Sequence, residues 1–206
     1  MELTKDEIIE IKQHIENSCD MYCTTFMIEH LKVVSKYLIQ PEFKEDIEKI
    51  INKFFVLLKK EEKETQFNSI INLLNTLPIQ DTTDFDEYII NNFETLSCFQ
   101  YLKQINKANL DVFIQNIINN ENKIKCGQSL HSFAQSFQNR LTNEQIEKIE
   151  DTLIENKDYL YLIYFADYCN RANLDKIYNA LNQSNNPVFI GLFNKCIDYT
   201  PNKELY

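Results

Sequence analysis

Glycine occurs at only two of the 206 positions of this chain, Gly127 and Gly191. β-Rich folds need glycine at backbone angles that other residues avoid, and so do phosphate-binding loops. This scarcity therefore predicts an all-α fold. Because 44% of the residues are hydrophobic and a chain of this size buries roughly 70% of its unfolded surface, we expect a substantial core. We expect one all-α domain over 1–206, with a sub-boundary at the loop 78–84.

Apolar residues at helical spacing predict about twelve short antiparallel helices. Thr4 followed by Glu7 is typical of a capping box at the start of the first. A second segment, 20–39, ends before Pro41, because the residue that precedes a proline avoids helical geometry. Pro187 suits the first turn of the last helix.

One short motif occurs twice. Lys107-Ala108-Asn109-Leu110-Asp111 returns as Arg171-Ala172-Asn173-Leu174-Asp175, at an offset of 64 in residue number. Each copy separates two apolar segments, so we expect Asn109 and Asn173 to cap the helices that follow. The last two hairpins also align at an offset of 28, which matches Ile146, Ile149, Leu153, Leu162, Phe165 and Cys169 with Leu174, Ile177, Leu181, Ile190, Phe193 and Ile197. Two hairpins of 28 residues each nearly span the motif offset of 64 residues, which indicates a repeated helical hairpin.

The segments YLIYFAD (161–167) and ANLDKI (172–177) resemble α-solenoids built from helical hairpins, in particular HEAT-like proteins. The resemblance is best over 85–200. It implies hairpins stacked into a small α-solenoid, with an extended concave surface that binds partners and rarely supplies chemistry. The repeat is shorter than a typical HEAT unit, and the chain lacks the tryptophan of the tetratricopeptide signature. A compact irregular helical bundle is the alternative.

The net charge of −10 argues against binding to nucleic-acid phosphates or to an anionic membrane. No lysine or arginine occurs from 64 to 102, a segment that contains Glu64, Asp81, Asp84, Asp86, Glu87 and Glu94. Such a segment can dock on a basic groove and accelerate encounter. We therefore predict that Asp81, Asp84, Asp86, Glu87 and Glu94 contact a basic protein. The alternative is a solvated loop whose acids complement helix dipoles.

Three tyrosines form a second candidate contact. Tyr161, Tyr164 and Tyr168 lie at i, i+3 and i+7, beside the core stripe of the same segment. Tyrosine combines a large contact area with a polar tip, and for this reason it is enriched at interfaces. We predict that these residues bind a partner, with packing inside the protein as the alternative.

Metal and catalytic patterns are weak. The strongest metal candidate comprises His14, Cys19, Cys23 and His30. The two cysteines, at i and i+4, would share a helical face, but the spacing matches no common zinc signature. Cys126 and His131 would not face each other for nucleophilic catalysis. We therefore expect no catalytic residue, no metal and no cofactor.

The sequence also leads us to expect no targeting segment. The first residues, MELTKD, do not resemble a signal peptide, and no apolar run approaches the ~20 residues of a membrane helix. The six cysteines lack the spacing of a disulfide scaffold. We expect a cytoplasmic protein with reduced thiols.

These observations favour a non-enzymatic protein-binding module with an acidic helical-repeat surface. One alternative is an inhibitor of a nucleic-acid enzyme, of the kind found among immunity proteins and phage anti-defence or anti-CRISPR-type inhibitors, which would block a basic channel. Another is a cryptic metal-binding protein or enzyme. A subunit of a larger helical assembly is a further alternative.

Overall fold

The computed structural model describes residues 3–120 and 123–197, and every element of regular structure in those residues is a helix. The predicted all-α fold is confirmed. The described residues form twelve α-helices, which are α1 (Lys5–Cys19), α2 (Thr24–Lys32), α3 (Lys44–Leu58), α4 (Lys63–Thr76), α5 (Thr83–Asn92), α6 (Thr95–Gln104), α7 (Leu110–Asn120), α8 (Lys123–Phe137), α9 (Asn143–Glu155), α10 (Tyr159–Tyr168), α11 (Leu174–Gln183) and α12 (Pro187–Cys196). A short 3-10 helix, Pro41–Phe43, precedes α3.

The chain divides into two compact units, 1–108 and 109–206. The first contains α1–α6 and the second contains α7–α12. Phenylalanines fill both interiors, with Phe54 fully buried in the first unit and Phe133 in the second. The division lies inside the first copy of the repeated motif, and not at the loop 78–84. That the two units form one domain stays a prediction.

The first helix begins as predicted. The Thr4 hydroxyl oxygen accepts a hydrogen bond from the Glu7 backbone N–H at 3.3 Å, and the Glu7 carboxylate accepts one from the Thr4 N–H at 2.8 Å. This capping box satisfies two backbone donors that the first helical turn leaves open. The apolar face of α1 then buries Ile11 and Ile15.

The second helix is shorter than predicted, since it spans Thr24–Lys32 and not 20–39. Its start is set by Thr24, whose backbone N–H and hydroxyl both donate to the Glu61 carboxylate, at 2.9 and 2.7 Å. Beyond Lys32 the backbone makes tighter turns with hydrogen bonds between residues three apart. Val34 and Leu38, which lie in these turns, are nevertheless buried.

The hairpin repeat is visible in the second unit. Helices α10 and α12 begin at Tyr159 and Pro187, which reproduces the predicted offset of 28. The helices before them, α9 and α11, are each followed by a residue in the left-handed conformation, Lys157 with φ 60° and Asn185 with φ 52°. Lys157 and Asn185 are also 28 residues apart, so the repeat is seen in the backbone conformation as well as in the apolar positions. Such a residue is a common way to end a helix.

The longer repeat, at the offset of the motif, is equally clear. Helices α6 and α10 begin at Thr95 and Tyr159, and α7 and α11 begin at Leu110 and Leu174. Both pairs of starting residues have the same offset, 64, as the two copies of the motif. The repetition therefore extends well beyond the motif itself.

Both copies of the motif make the same long-range contact within their own unit. Lys107 Nζ donates to the Leu74 carbonyl at 3.0 Å, and Arg171 Nη2 donates to the Gln138 carbonyl at 2.5 Å. Each acceptor lies 33 residues earlier, in the last turn of α4 or just after α8. A cation near the C-terminal carbonyls of a helix complements its dipole.

The asparagines of the motif are confirmed as caps. Asn173 Oδ1 accepts from the Lys176 backbone N–H at 3.0 Å, and Asn109 Oδ1 accepts from the Asp111 N–H at 3.0 Å. The motif is therefore a connection between helices. Its basic residue ties it to an earlier helix, and its asparagine starts the next one.

Within the residues that the structure describes, no helix is both long and apolar enough to cross a membrane.

Candidate protein-binding surfaces

The segment without lysine or arginine presents five exposed carboxylates, which we call the acidic surface: Glu64, Asp81, Asp84, Glu87 and Glu94. Asp84 and Glu87 lie one turn apart on α5, whose opposite face buries Phe85 and Ile89. The amphipathic pattern of α5 thus directs these two carboxylates to solvent.

Asp81 is held in a defined position just before α5. Its Oδ1 accepts hydrogen bonds from the Thr83 hydroxyl at 2.6 Å and from the Thr83 backbone N–H at 3.0 Å. These bonds lower the pKa of Asp81, with the hydroxyl as the larger cause. Asp81 is consequently a fixed anion at the N-terminal end of the helix, where a negative charge is favourable.

Asp86 does not belong to the acidic surface, which corrects its assignment as a partner contact. Its side chain is 0% exposed. Its carboxylate accepts from the Tyr101 hydroxyl at 2.6 Å and from the Thr82 hydroxyl at 2.9 Å. Burial, and secondarily the Asp86 charge, raises the pKa of Tyr101 strongly. Asp86 therefore joins α5 to α6 inside the first unit.

The three tyrosines of α10 surround one histidine of α8 in the second unit. The ring of His131 lies 6.1, 5.8 and 5.2 Å from those of Tyr161, Tyr164 and Tyr168. The Tyr168 hydroxyl donates to the His131 carbonyl at 2.8 Å. Tyr161 and Tyr168 are half-buried, whereas Tyr164 is 40% exposed. Tyr164 is thus the member of the stripe that offers the most free surface.

The His131 ring is poorly solvated. Its Nδ1 is buried without a hydrogen-bond partner among the described residues, and burial lowers the pKa of the imidazole. A neutral ring packs among tyrosines at lower cost than an imidazolium would. The cluster is therefore an apolar contact between α8 and α10 that leaves Tyr164 at the surface.

A second buried acid, Glu150, was not singled out from the sequence. It is 2% exposed, accepts from the Asn173 backbone N–H at 2.8 Å and lies 3.4 Å from Lys176 Nζ. Burial raises the pKa of Glu150, and the Asn173 and Lys176 contacts oppose that rise. Lys176 also contacts Asp151 at 2.8 Å. The group ties α9 to the start of α11.

An open groove between α4 and α6 was also not predicted. Its volume is about 650 Å³, and it is lined by Lys63, Glu64, Phe67, Asn68, Phe93, Ser97, Gln100 and Gln104. No sequence motif marks these residues, because they come from three separate segments of the first unit.

The four residues of the weak metal candidate are arranged differently from what their spacing suggested. Cys19 ends α1 and Cys23 precedes α2, so the two do not share a helical face. The rings of His14 and His30 stack at 5.3 Å, and His14 Nε2 is 2.8 Å from the His30 carbonyl oxygen. Over 3–120 and 123–197, no group of three or more histidine, cysteine, aspartate or glutamate side chains is placed to hold a metal ion.

No protein-family model, curated protein or solved structure matches this chain.

Proposed function

We propose that this protein is a non-enzymatic protein-binding module, and that its acidic surface docks on a basic protein partner. The observation that carries the proposal is the exposure of five carboxylates in a segment, 64–102, that contains no lysine or arginine. A surface of one sign raises the local concentration of oppositely charged partners and accelerates their association.

The electrostatic contribution should depend on salt. Exposed charges more than about 8 Å apart are largely screened at physiological ionic strength. Binding through the acidic surface should therefore weaken as salt is raised, mainly through slower association. Binding through buried apolar groups would depend much less on the salt concentration.

The test is affinity capture from the native cell followed by mass spectrometry, with Asp84→Lys/Glu87→Lys as the variant. The matched control is Glu144→Lys/Glu147→Lys, because these exposed acids lie at the same spacing on α9. We expect the wild type and the control to capture the same basic protein, and the α5 variant to lose it. Equal capture by all three proteins, or capture that ignores salt, would contradict the proposal.

Tyr164 is the proposed apolar contact of the second unit. Its ring is exposed but is held in place by His131, so it can bury area in a partner with little loss of conformational freedom. Tyr164→Ala should weaken capture, whereas Tyr22→Ala, which removes a tyrosine that is 75% exposed in the first unit, should not. If Tyr22→Ala weakens capture and Tyr164→Ala does not, the partner contacts the connection between α1 and α2 instead.

We also propose that the hairpins stack as in HEAT-like α-solenoids. The two regular offsets between helix starts, 28 and 64, support this assignment. Repeat proteins of this class present extended surfaces for binding, which agrees with a role in protein recognition. A reducing cytoplasm is the proposed location, because Cys19, Cys23, Cys98, Cys169 and Cys196 are free thiols.

Inhibition of a nucleic-acid enzyme is a second candidate, favoured by the same carboxylates. Five exposed anions in a segment that contains no lysine or arginine can compete with phosphates for a basic channel. In that case the purified protein should inhibit the captured enzyme, and excess nucleic acid should relieve the inhibition. Inhibition that added nucleic acid leaves unchanged would exclude this mechanism.

A further inference from the structure

The groove between α4 and α6 has the size of a binding site. Its volume of about 650 Å³ lies within the range of roughly 300–1,000 Å³ that is typical of ligand sites. It belongs entirely to the first unit, so its walls are set by helices that pack in one body.

Two aromatic rings form the apolar part of the groove. Phe67 and Phe93 meet edge to face with their centroids 5.5 Å apart, and both are half-buried. Tyr88 packs on Phe93 at 6.5 Å, and its hydroxyl donates to Gln66 Oε1 at 3.1 Å. Phe93 is therefore packed against both Phe67 and Tyr88, and the pair offers a preformed contact for one apolar side chain.

The polar part of the groove is rich in uncharged side chains. Ser97, Gln100 and Gln104 lie at i, i+3 and i+7 on α6, and Asn68 stands on α4. A carboxamide both donates and accepts hydrogen bonds, as does each residue of a peptide main chain. An extended peptide could therefore satisfy its backbone along this row.

Charge favours a basic peptide. Lys63 is the one cation among the lining residues, and Glu64 lies beside it. Glu94 follows Phe93 directly, and the next basic residue along the chain is Lys103. Glu64 and Glu94 are both members of the acidic surface, so the groove is continuous in sequence with the carboxylates that are proposed to contact the basic partner.

We propose that this groove binds an extended basic segment of the partner protein, with one apolar side chain against Phe67 and Phe93 and its main chain along the carboxamides. The inference depends on the proposed function for the basic character of the partner, and it adds the location and the conformation of the bound segment.

The test is an NMR titration of the full-length, isotope-labelled protein with a synthetic octapeptide of lysine and serine that carries one central leucine. Two control peptides replace the leucine by serine or the lysines by glutamate. We expect the leucine peptide to shift the side-chain amide signals of Asn68, Gln100 and Gln104. Both control peptides should bind more weakly.

The matching variants are Gln100→Ala/Gln104→Ala and, as the control, Gln128→Ala/Gln135→Ala on the exposed side of α8. Two lost hydrogen bonds should weaken peptide binding by about tenfold in the first variant and leave the control unchanged. All four glutamines are exposed, so both variants should fold.

Four results would overturn the inference. The first is peptide binding that shifts only the signals of Asp84 and Glu87, which would leave the proposed function intact. The second is equal binding of the glutamate peptide, and the third is no binding of any peptide. The fourth is a shift of the groove signals on concentrating the protein without peptide, which would assign the groove to a second copy of the chain.

Discussion

The two glycines of the chain occupy corresponding positions in α8 and α12, at the offset of the repeated motif, but their surroundings differ. A Cβ atom on Gly127 would lie 2.5 Å from Asp158 Oδ2 and 2.9 Å from Tyr161 Cδ2. A Cβ atom on Gly191 would meet nothing within 4 Å. A side chain at the first position would thus have to displace Asp158 and Tyr161, whereas a Cβ atom at the second would meet no atom within 4 Å.

The neighbours of these glycines show the same contrast. Leu130 of α8 is fully buried, and its counterpart Asn194 of α12 is exposed. His131 is half-buried, and its counterpart Lys195 is exposed. A polar outer face is typical of capping repeats. Helix α12 therefore keeps the glycine of the repeat but presents to water the side that α8 buries.

Two buried acids, Asp86 and Glu150, correspond in the same way, since they too are related by the offset of the motif. Asp86 accepts from the hydroxyls of Tyr101 and Thr82, which are neutral donors. Glu150 accepts from a backbone N–H and lies near Lys176. The position of the acid is thus common to both copies, while the groups that satisfy it have changed.

The largest expected effect comes from Asp86→Ala. This change removes the acceptor of two hydroxyls and opens space beside Tyr101, so the free energy of unfolding should fall by roughly 2–4 kcal/mol. Glu150→Ala should cost less, roughly 1–2 kcal/mol, because Lys176 keeps its contact with Asp151. Urea denaturation of the two variants measures the difference.

Asp84→Ala is the control for Asp86, because Asp84 is exposed on the same helix. It should change the free energy of unfolding by less than about 0.5 kcal/mol. A cost for Asp84→Ala equal to that of Asp86→Ala would mean that α5 is oriented differently from the structure.

The sequence predicted the helices and most of their inward residues, because both depend on spacing along one segment. Ile149, Leu153 and Phe165, for example, were expected in the core and are fully buried. The burial of Asp86 could not be predicted in this way. It stands among exposed acids, and its hydroxyl donor on Tyr101 lies 15 residues away.

The candidate sites were predictable to different degrees. The absence of lysine and arginine from 64–102 pointed to Asp84 and Glu87, but equally to the buried Asp86, and periodicity pointed to the tyrosines of α10. The groove residues Asn68 and Gln100 carry no local signal, because exposed amides are ordinary on any helix. Only the packing of α4, α6 and the residue Phe93 brings them together.

Alanine at the two glycines should have opposite effects, which are the second largest. Gly191→Ala should raise the free energy of unfolding by roughly 0.5–1 kcal/mol, because alanine favours the helix. Gly127→Ala should lower it by roughly 1–2 kcal/mol, because the new methyl group displaces Asp158 and Tyr161. Thermal and urea unfolding measure both changes. Stabilisation by both variants would show that α10 can move away from α8 at little cost.

The smallest expected effect is a change in pH dependence at Glu150. Its pKa in the folded protein lies above the ordinary value of 4.5 because it is buried. The folded state therefore binds more protons than the unfolded state, and the contribution of Glu150 to stability falls as pH rises from about 4.5 through the raised pKa. Asp81 has the opposite sign, because its pKa is lowered and its contribution is lost as pH falls.

Glu150→Gln should remove the part of this decline that belongs to Glu150, since the amide does not ionise. The measurement is urea unfolding of the wild type and the variant at several pH values from 4.5 upward, with the exposed Glu147→Gln as the control. We expect a flatter pH profile for Glu150→Gln and an unchanged one for Glu147→Gln. Parallel profiles for the wild type and Glu150→Gln would mean that Lys176 and the Asn173 N–H fully offset the cost of burying the carboxylate.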